Sequence, residues 1–128
     1  MNDSKNPLSP HLQIYKWHIS SLLSITHRIS GIINLLALFL IFFWLVFLSL
    51  GESNYELFLI LINSFLGKFI LIGFTWSMFF HLLSGIRHLV WVFGYGFELK
   101  TANFSGVLVL IFSLALPIIF WLFAGGFI

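Results

Sequence analysis

The chain has 128 residues, 60% of them hydrophobic and 20% aromatic but only 8% charged, with a formal net charge of +2 at pH 7. Six basic and four acidic side chains cannot cover the surface of a soluble domain of this size, so a water-soluble globule is excluded. Cysteine is absent, which excludes a disulfide, a thiolate metal site and thioether-linked haem from this chain.

Residues 1–20, MNDSKNPLSPHLQIYKWHIS, read as an interfacial lead-in. Pro7 and Pro10 oppose a continuous helix, and Leu12, Ile14, Tyr15 and Trp17 mixed with polar residues suit a segment lying on the membrane or on a partner. A solvated tail would have much the same composition. No cleaved signal peptide is expected, because this start is polar and the apolar run behind it is too long for an h-region.

Three uncharged runs follow, at 29–51, 69–86 and 101–128. A helix needs roughly 20 apolar residues to cross about 30 Å of hydrocarbon. Extended into their flanks, the runs predict an all-α integral membrane protein with three transmembrane helices in one domain, 1–128, at about 21–50, 58–92 and 104–127, the second starting at Phe58 or Phe65. A membrane barrel would alternate apolar and polar residues, whereas NLLALFLIFFWLVFLSL is apolar on every face. LGESNYE and FGYGFELKTANF are the expected connections, and Pro117 is expected to interrupt the third helix. No internal repeat stands out.

Basic residues near helix ends set orientation. Lys5, Lys16 and Arg28 precede or open the first helix, Arg87 and Lys100 lie at or beyond the end of the second, and the first loop carries Glu52 and Glu56. The N-terminus is therefore expected on the cytoplasmic or matrix side and the C-terminus outside. Lys68 dissents, and its long stem can snorkel to the opposite interface. With most basic residues explained by topology, membrane lipid is an expected partner and nucleic acid is not.

The stretch HLLSGIRHLVW, residues 81–91, breaks the apolar pattern. An ionisable side chain at membrane depth costs several kcal/mol, which makes it a candidate functional group. His81, Gly85 and His88 share one helical stripe, and the missing side chain at Gly85 leaves room for a flat group or a neighbouring backbone. At about 1.5 Å per residue, His81 lies roughly 16 Å from the helix end near Val92. A deep imidazole suits an axial bond to haem iron, although a lone intramembrane histidine is more often an interhelical hydrogen-bonding residue than a ligand. His88 and Arg87 sit where haem propionates would reach water; an interfacial role for His88 and a positive-inside anchor for Arg87 fit the same positions.

The second cluster, SITHRISG at 24–31, opens the first helix. Ser24 and Arg28 share a face and could donate hydrogen bonds to a quinone carbonyl, stabilising the negative charge of reduction. Capping the helix start and binding a lipid phosphate would use the same groups. Both clusters lie on one membrane side, which favours a redox site. Two axial ligands must approach iron from opposite faces, so one stripe cannot supply both; the shallower depth of His27 favours a ligand from a partner subunit.

PLSPHLQIYKW (7–17), SITHRISG (24–31) and HLLSGIRHLVW (81–91), in this order and spacing, resemble the signatures of the cytochrome b556 membrane-anchor family of succinate dehydrogenase, the succinate:quinone oxidoreductase (complex II) of respiratory chains. The resemblance covers nearly the whole chain. It implies a three-helix anchor that pairs with a second, smaller hydrophobic anchor subunit and holds a flavoprotein and an iron-sulfur subunit at a bacterial or mitochondrial inner membrane. By position it implies that His81 is an axial ligand of haem b, with the opposing histidine from the second anchor. Ser24 and Arg28 match the quinone site, Leu12, Trp17 and Ile25 match positions lining its pocket, and His27, Arg87 and His88 fall near the haem propionates. Electrons from succinate would reach ubiquinone through this site in the tricarboxylic acid cycle, the chain having no activity of its own. A haem-less structural anchor and the anchor of a quinol:fumarate reductase are the alternatives. The family usually carries an aspartate where this chain has Val92, so any proton route or subunit contact through that carboxylate is in question here.

Overall fold

The computed structural model describes residues 18–125. Leu12 and Trp17 lie outside the described residues. Four helices follow in order: α1 (Ile19–Ser49), α2 (Glu52–Asn63), α3 (Phe65–Val92) and α4 (Leu99–Phe123). α1, α3 and α4, with 31, 28 and 25 residues, are long and apolar enough to cross a membrane. Each exceeds the hydrocarbon thickness of about 30 Å at 1.5 Å per residue, as an all-α, three-span architecture requires.

Of the two expected starts of the second span, Phe65 is the one observed, and the stretch 58–92 is shared between two helices. Ser64 has an extended backbone (φ −61°, ψ 160°) between α2 and α3. Its hydroxyl accepts from Gly67 N at 3.1 Å, capping α3, and donates to Leu61 O at 2.6 Å, closing α2. Gly67 is required because a Cβ there would collide with the carbonyl oxygens of Leu61 and Ile62. Hydropathy hides this corner, since LFLILI before it and FLGKFILIG after it are similarly apolar. At 12 residues α2 is too short to span, and Glu52 in its first turn complements the helix dipole.

The expected connections are shorter in the structure. Only Leu50 and Gly51 separate α1 from α2, and α4 begins at Leu99 rather than about 104. Lys100, Thr101 and Asn103 occupy the first turns of α4, so the backbone is helical before the apolar run begins. α4 continues unbroken through Pro117, which is buried in the bundle.

The interior is made of small and polar residues. Ser30, Ser77 and Ser113 are all but fully buried, Ser84 is nearly so, and Phe80 is the one large side chain of that degree of burial among the described residues. α4 turns Ala102, Gly106, Val109, Ser113 and Pro117 inward, while most leucines, isoleucines and phenylalanines of α1 face outward, the buried Leu23 being an exception. That inversion is expected in lipid, where apolar side chains gain nothing by leaving the hydrocarbon and small residues let helices approach closely.

Candidate functional site

The polar residues of α1 and α3 meet near one end of the bundle. His27 Nδ1 lies 2.6 Å from Ser84 Oγ, and His81 Nδ1 lies 3.0 Å from Ser30 Oγ and 3.2 Å from the His27 carbonyl oxygen. Each histidine thus pairs with a serine of the opposite helix. The two imidazoles stack with centroids 4.0 Å apart and planes within 10°. Below them Ser77 Oγ lies 3.0 Å from Ser30 O and 2.9 Å from Asn34 Oδ1, extending the polar seam.

A repeated pattern underlies the pairing: H-x-x-S-G occurs at 27–31 (HRISG) and again at 81–85 (HLLSG). α1 and α3 run antiparallel, so the histidine of one copy meets the serine of the other. The glycines complete the symmetry. A Cβ at Gly31 would come within 3.2 Å of His81 Cε1, and one at Gly85 within 3.8 Å of His27 Cε1. The space that Gly85 leaves on α3 is therefore covered by the His27 ring of this chain. Ser30 and Ser84 were not read from the sequence as partners, although the recurring five-residue spacing was available as a signal.

Beside this pair, a groove of about 320 Å³ is lined by Ser24, His27 and Arg28 of α1 and by Ser84, Arg87 and His88 of α3, among others. Five of the residues picked out from the sequence, Ser24, His27, Arg28, Arg87 and His88, converge here. Ser24, Arg28 and His88 are exposed and His27 half-buried. Ile25 is 40% exposed and does not line the groove. His81 sits one layer behind the wall, stacked on His27.

Arg87 is built into the bundle. Its Nε donates to Ser105 Oγ at 2.9 Å, and its Nη2 donates to Ala102 O at 2.9 Å and to Ser20 Oγ at 3.2 Å. Its guanidinium lies 4.1 Å from the centre of the Trp91 ring, a cation–π contact. One side chain of α3 thereby ties α1 and α4 together, which a point anchor at the membrane surface would not do. The rigid fork of arginine suits this task in a way lysine would not. Close packing at Gly106, where a Cβ would lie 2.8 Å from Leu23 Cδ1 and 3.7 Å from Arg87 Nη2, brings α4 near enough to receive these bonds.

Both imidazoles have their Nδ1 engaged. Neither Nε2 has a hydrogen bond among the described residues, and no buried side-chain nitrogen or oxygen among them lacks a partner, so each Nε2 retains accessible surface. The geometry also excludes one arrangement. Two axial ligands of a single iron face each other end-on across the metal, whereas His27 and His81 lie face to face.

Fold and site together define a class: a multi-pass membrane subunit with an imidazole- and guanidinium-lined groove at one end of an otherwise apolar bundle. Residues 2–120 match the family of the succinate dehydrogenase/fumarate reductase transmembrane subunit, and the chain belongs to that family. It is 42% identical over 118 residues to the succinate dehydrogenase cytochrome b556 subunit of Rickettsia felis, covering 92% of each chain. It is 35% identical over 119 residues to the cytochrome b556 subunit of Paracoccus denitrificans, covering 93% of this chain and 92% of that one. The succinate dehydrogenase cytochrome b560 subunit of Reclinomonas americana is 40% identical over 123 residues, with 91% and 84% covered. With three spans and this family, the chain is a multi-pass inner-membrane protein.

Proposed function

We propose that the chain is the haem b- and quinone-binding anchor of a succinate dehydrogenase, carrying electrons from succinate, by way of an iron-sulfur subunit, to ubiquinone. The observation that carries this reading is the convergence of Ser24, His27, Arg28, Arg87 and His88, from two helices far apart in sequence, on one groove. The relatives named above as cytochrome b subunits supply the redox context.

The residues fit a haem. His81 would hold the iron through Nε2, the nitrogen left without a hydrogen bond among the described residues, and the stacked position of His27 supports an opposing ligand from a second anchor subunit. When bound, the haem supplies a one-electron redox centre inside the membrane. His27, Arg87 and His88, which line the groove, would offer donors to the haem propionates. Ser24 and Arg28, both exposed at the mouth of the groove, would donate hydrogen bonds to a quinone carbonyl. A guanidinium at that oxygen stabilises the negative charge that forms as electrons arrive, and does so best where water is excluded. Leu12 and Trp17 would line the quinone pocket, with the lead-in segment closing it against the iron-sulfur partner, while Ile25, exposed on α1 outside the groove, would border the pocket only beyond it.

In this reading the N-terminus and the α3–α4 turn face the cytoplasm or matrix, where flavoprotein and iron-sulfur subunits dock, and the C-terminus lies outside. Val92 leaves that end of α3 without the carboxylate usual at its position. The test is a reduced-minus-oxidised optical spectrum, with succinate as reductant, of the complex that copurifies with a tag on this chain. A b-type haem band is the expected result. Copurifying flavin and iron-sulfur subunits without such a band would leave a haem-less anchor instead.

A further inference from the structure

We infer that Ser30 is a positioning residue for His81: together with the His27 carbonyl it keeps the imidazole proton on Nδ1 and leaves Nε2 as the lone-pair donor toward a metal. The inference rests on the haem-anchor reading above and assigns a role that the groove itself does not reveal.

Ser30 is fully buried, and its hydroxyl donates to the His27 carbonyl oxygen at 2.8 Å. A serine hydroxyl has a single proton. With that proton on the carbonyl, Ser30 Oγ can only accept from His81 Nδ1, 3.0 Å away. The other polar neighbour of Nδ1 is the same His27 carbonyl oxygen at 3.2 Å, and a carbonyl never donates. Nδ1 therefore faces two acceptors and must be the protonated nitrogen, because a bare Nδ1 would set lone pair against lone pair inside a low-dielectric seam. A neutral imidazole has one donor nitrogen and one acceptor nitrogen. Nε2 is then the acceptor, the form a metal requires.

The ring is held in place as well as in tautomer. His27 covers one face at 4.0 Å, and the missing side chain of Gly31 lets the ring edge lie against the backbone of α1, where a Cβ would come within 3.2 Å. Ser30 and Gly31 are adjacent, so two consecutive residues of α1 fix the ring of α3. The hydroxyl also acts electronically. An N–H that donates to an oxygen makes its imidazole a stronger donor through the other nitrogen, which favours the oxidised metal and lowers its potential.

The experiment uses the intact complex copurified with a tag on this chain, with haem per flavin read optically and the haem midpoint potential read by redox titration. Ser30→Ala should raise the midpoint potential and loosen haem, by about 10-fold or more in occupancy-limited affinity, as outer-shell partners of metal-bound histidines do. Ser30→Cys, of similar size but a weaker acceptor, should shift the potential in the same direction by less; it stands as the test should the alanine variant fail to assemble. Ser77→Ala removes a buried hydroxyl between the same two helices without touching either imidazole, and should leave the potential at the parent value. A parent-like potential in the Ser30 variants with haem still bound would overturn the inference, as would an equal shift in Ser77→Ala, which marks general loosening. A parent complex with no haem band would instead overturn the anchor reading, and the inference with it.

Discussion

The two halves of the bundle, the groove end and the end where α2 packs, are joined by different means. At the groove end the helices are tied by hydrogen bonds: His27 with Ser84, His81 with Ser30, Ser77 with the Ser30 carbonyl, and the Arg87 fork with Ser20, Ser105 and Ala102. At the far end apolar packing dominates. Phe47 rests on Phe58 with centroids 5.6 Å apart, Gly67 lets α2 turn onto α3, and Trp121 Nε1 donates to Thr75 Oγ1 at 3.2 Å, linking α4 to α3 there. The contrast teaches what polar groups are for in a chain that is 60% hydrophobic. Lipid supplies no hydrophobic drive to bring helices together, and each interhelical hydrogen bond is worth only about 0.6–2 kcal/mol. Concentrating them at one end fixes the geometry of that end, where the candidate site lies, and leaves the other to shape-matching.

Substitutions can break or sharpen this contrast. The largest effect is expected from Arg28→Leu at the groove mouth: quinone reduction by the complex should fall about 10²–10³-fold, as when a preorganised donor is lost, while succinate oxidation by an artificial dye stays near the parent level. Equal losses in the two assays would instead point to failed assembly. His81→Ala should reduce haem absorption by about 10-fold or more at constant flavin, and an unchanged spectrum would remove His81 as a ligand. Arg87→Lys keeps the charge but loses the fork, and should destabilise the purified complex by about 2–3 kcal/mol in a denaturation titration. At the far end Gly67→Ala should destabilise by about 1–2 kcal/mol through overpacking at the α2–α3 corner, with the haem spectrum intact; a spectral change would show that the two halves are coupled. Smallest of all, Leu38→Ile on the lipid-facing side of α1, where Leu38 is 62% exposed, should change stability by less than about 0.5 kcal/mol.

The legible and illegible parts of the molecule divide along the same line. The spans were readable because an uninterrupted apolar run is a local property, and the groove residues were readable because each is an ionisable or hydroxyl group inside such a run. The corner at Ser64 was not, since hydropathy continues across it and only the serine cap and Gly67 mark the turn. Arg87 was readable as a charge near a helix end, but its reach to Ser105, 18 positions on, and to Ser20, 67 positions back, was not. Gly85 was readable as a gap in a stripe, whereas its occupant, the ring of His27, came from a helix more than fifty positions away.

By itself, then, the amino-acid sequence determined three membrane spans and a polar cluster gathered toward one end of them, because hydrophobic length and the cost of burying charge act residue by residue. Only the tertiary structure decided which serine faces which histidine, that the two imidazoles stack and cannot be the two ligands of one iron, and that Arg87 joins three helices. The physical reason is the lipid environment: helices that are apolar all round carry no amphipathic stripe to state which face turns inward, so the register of α1 against α3 follows from small residues and hydrogen bonds whose pairing exists only once the helices have met.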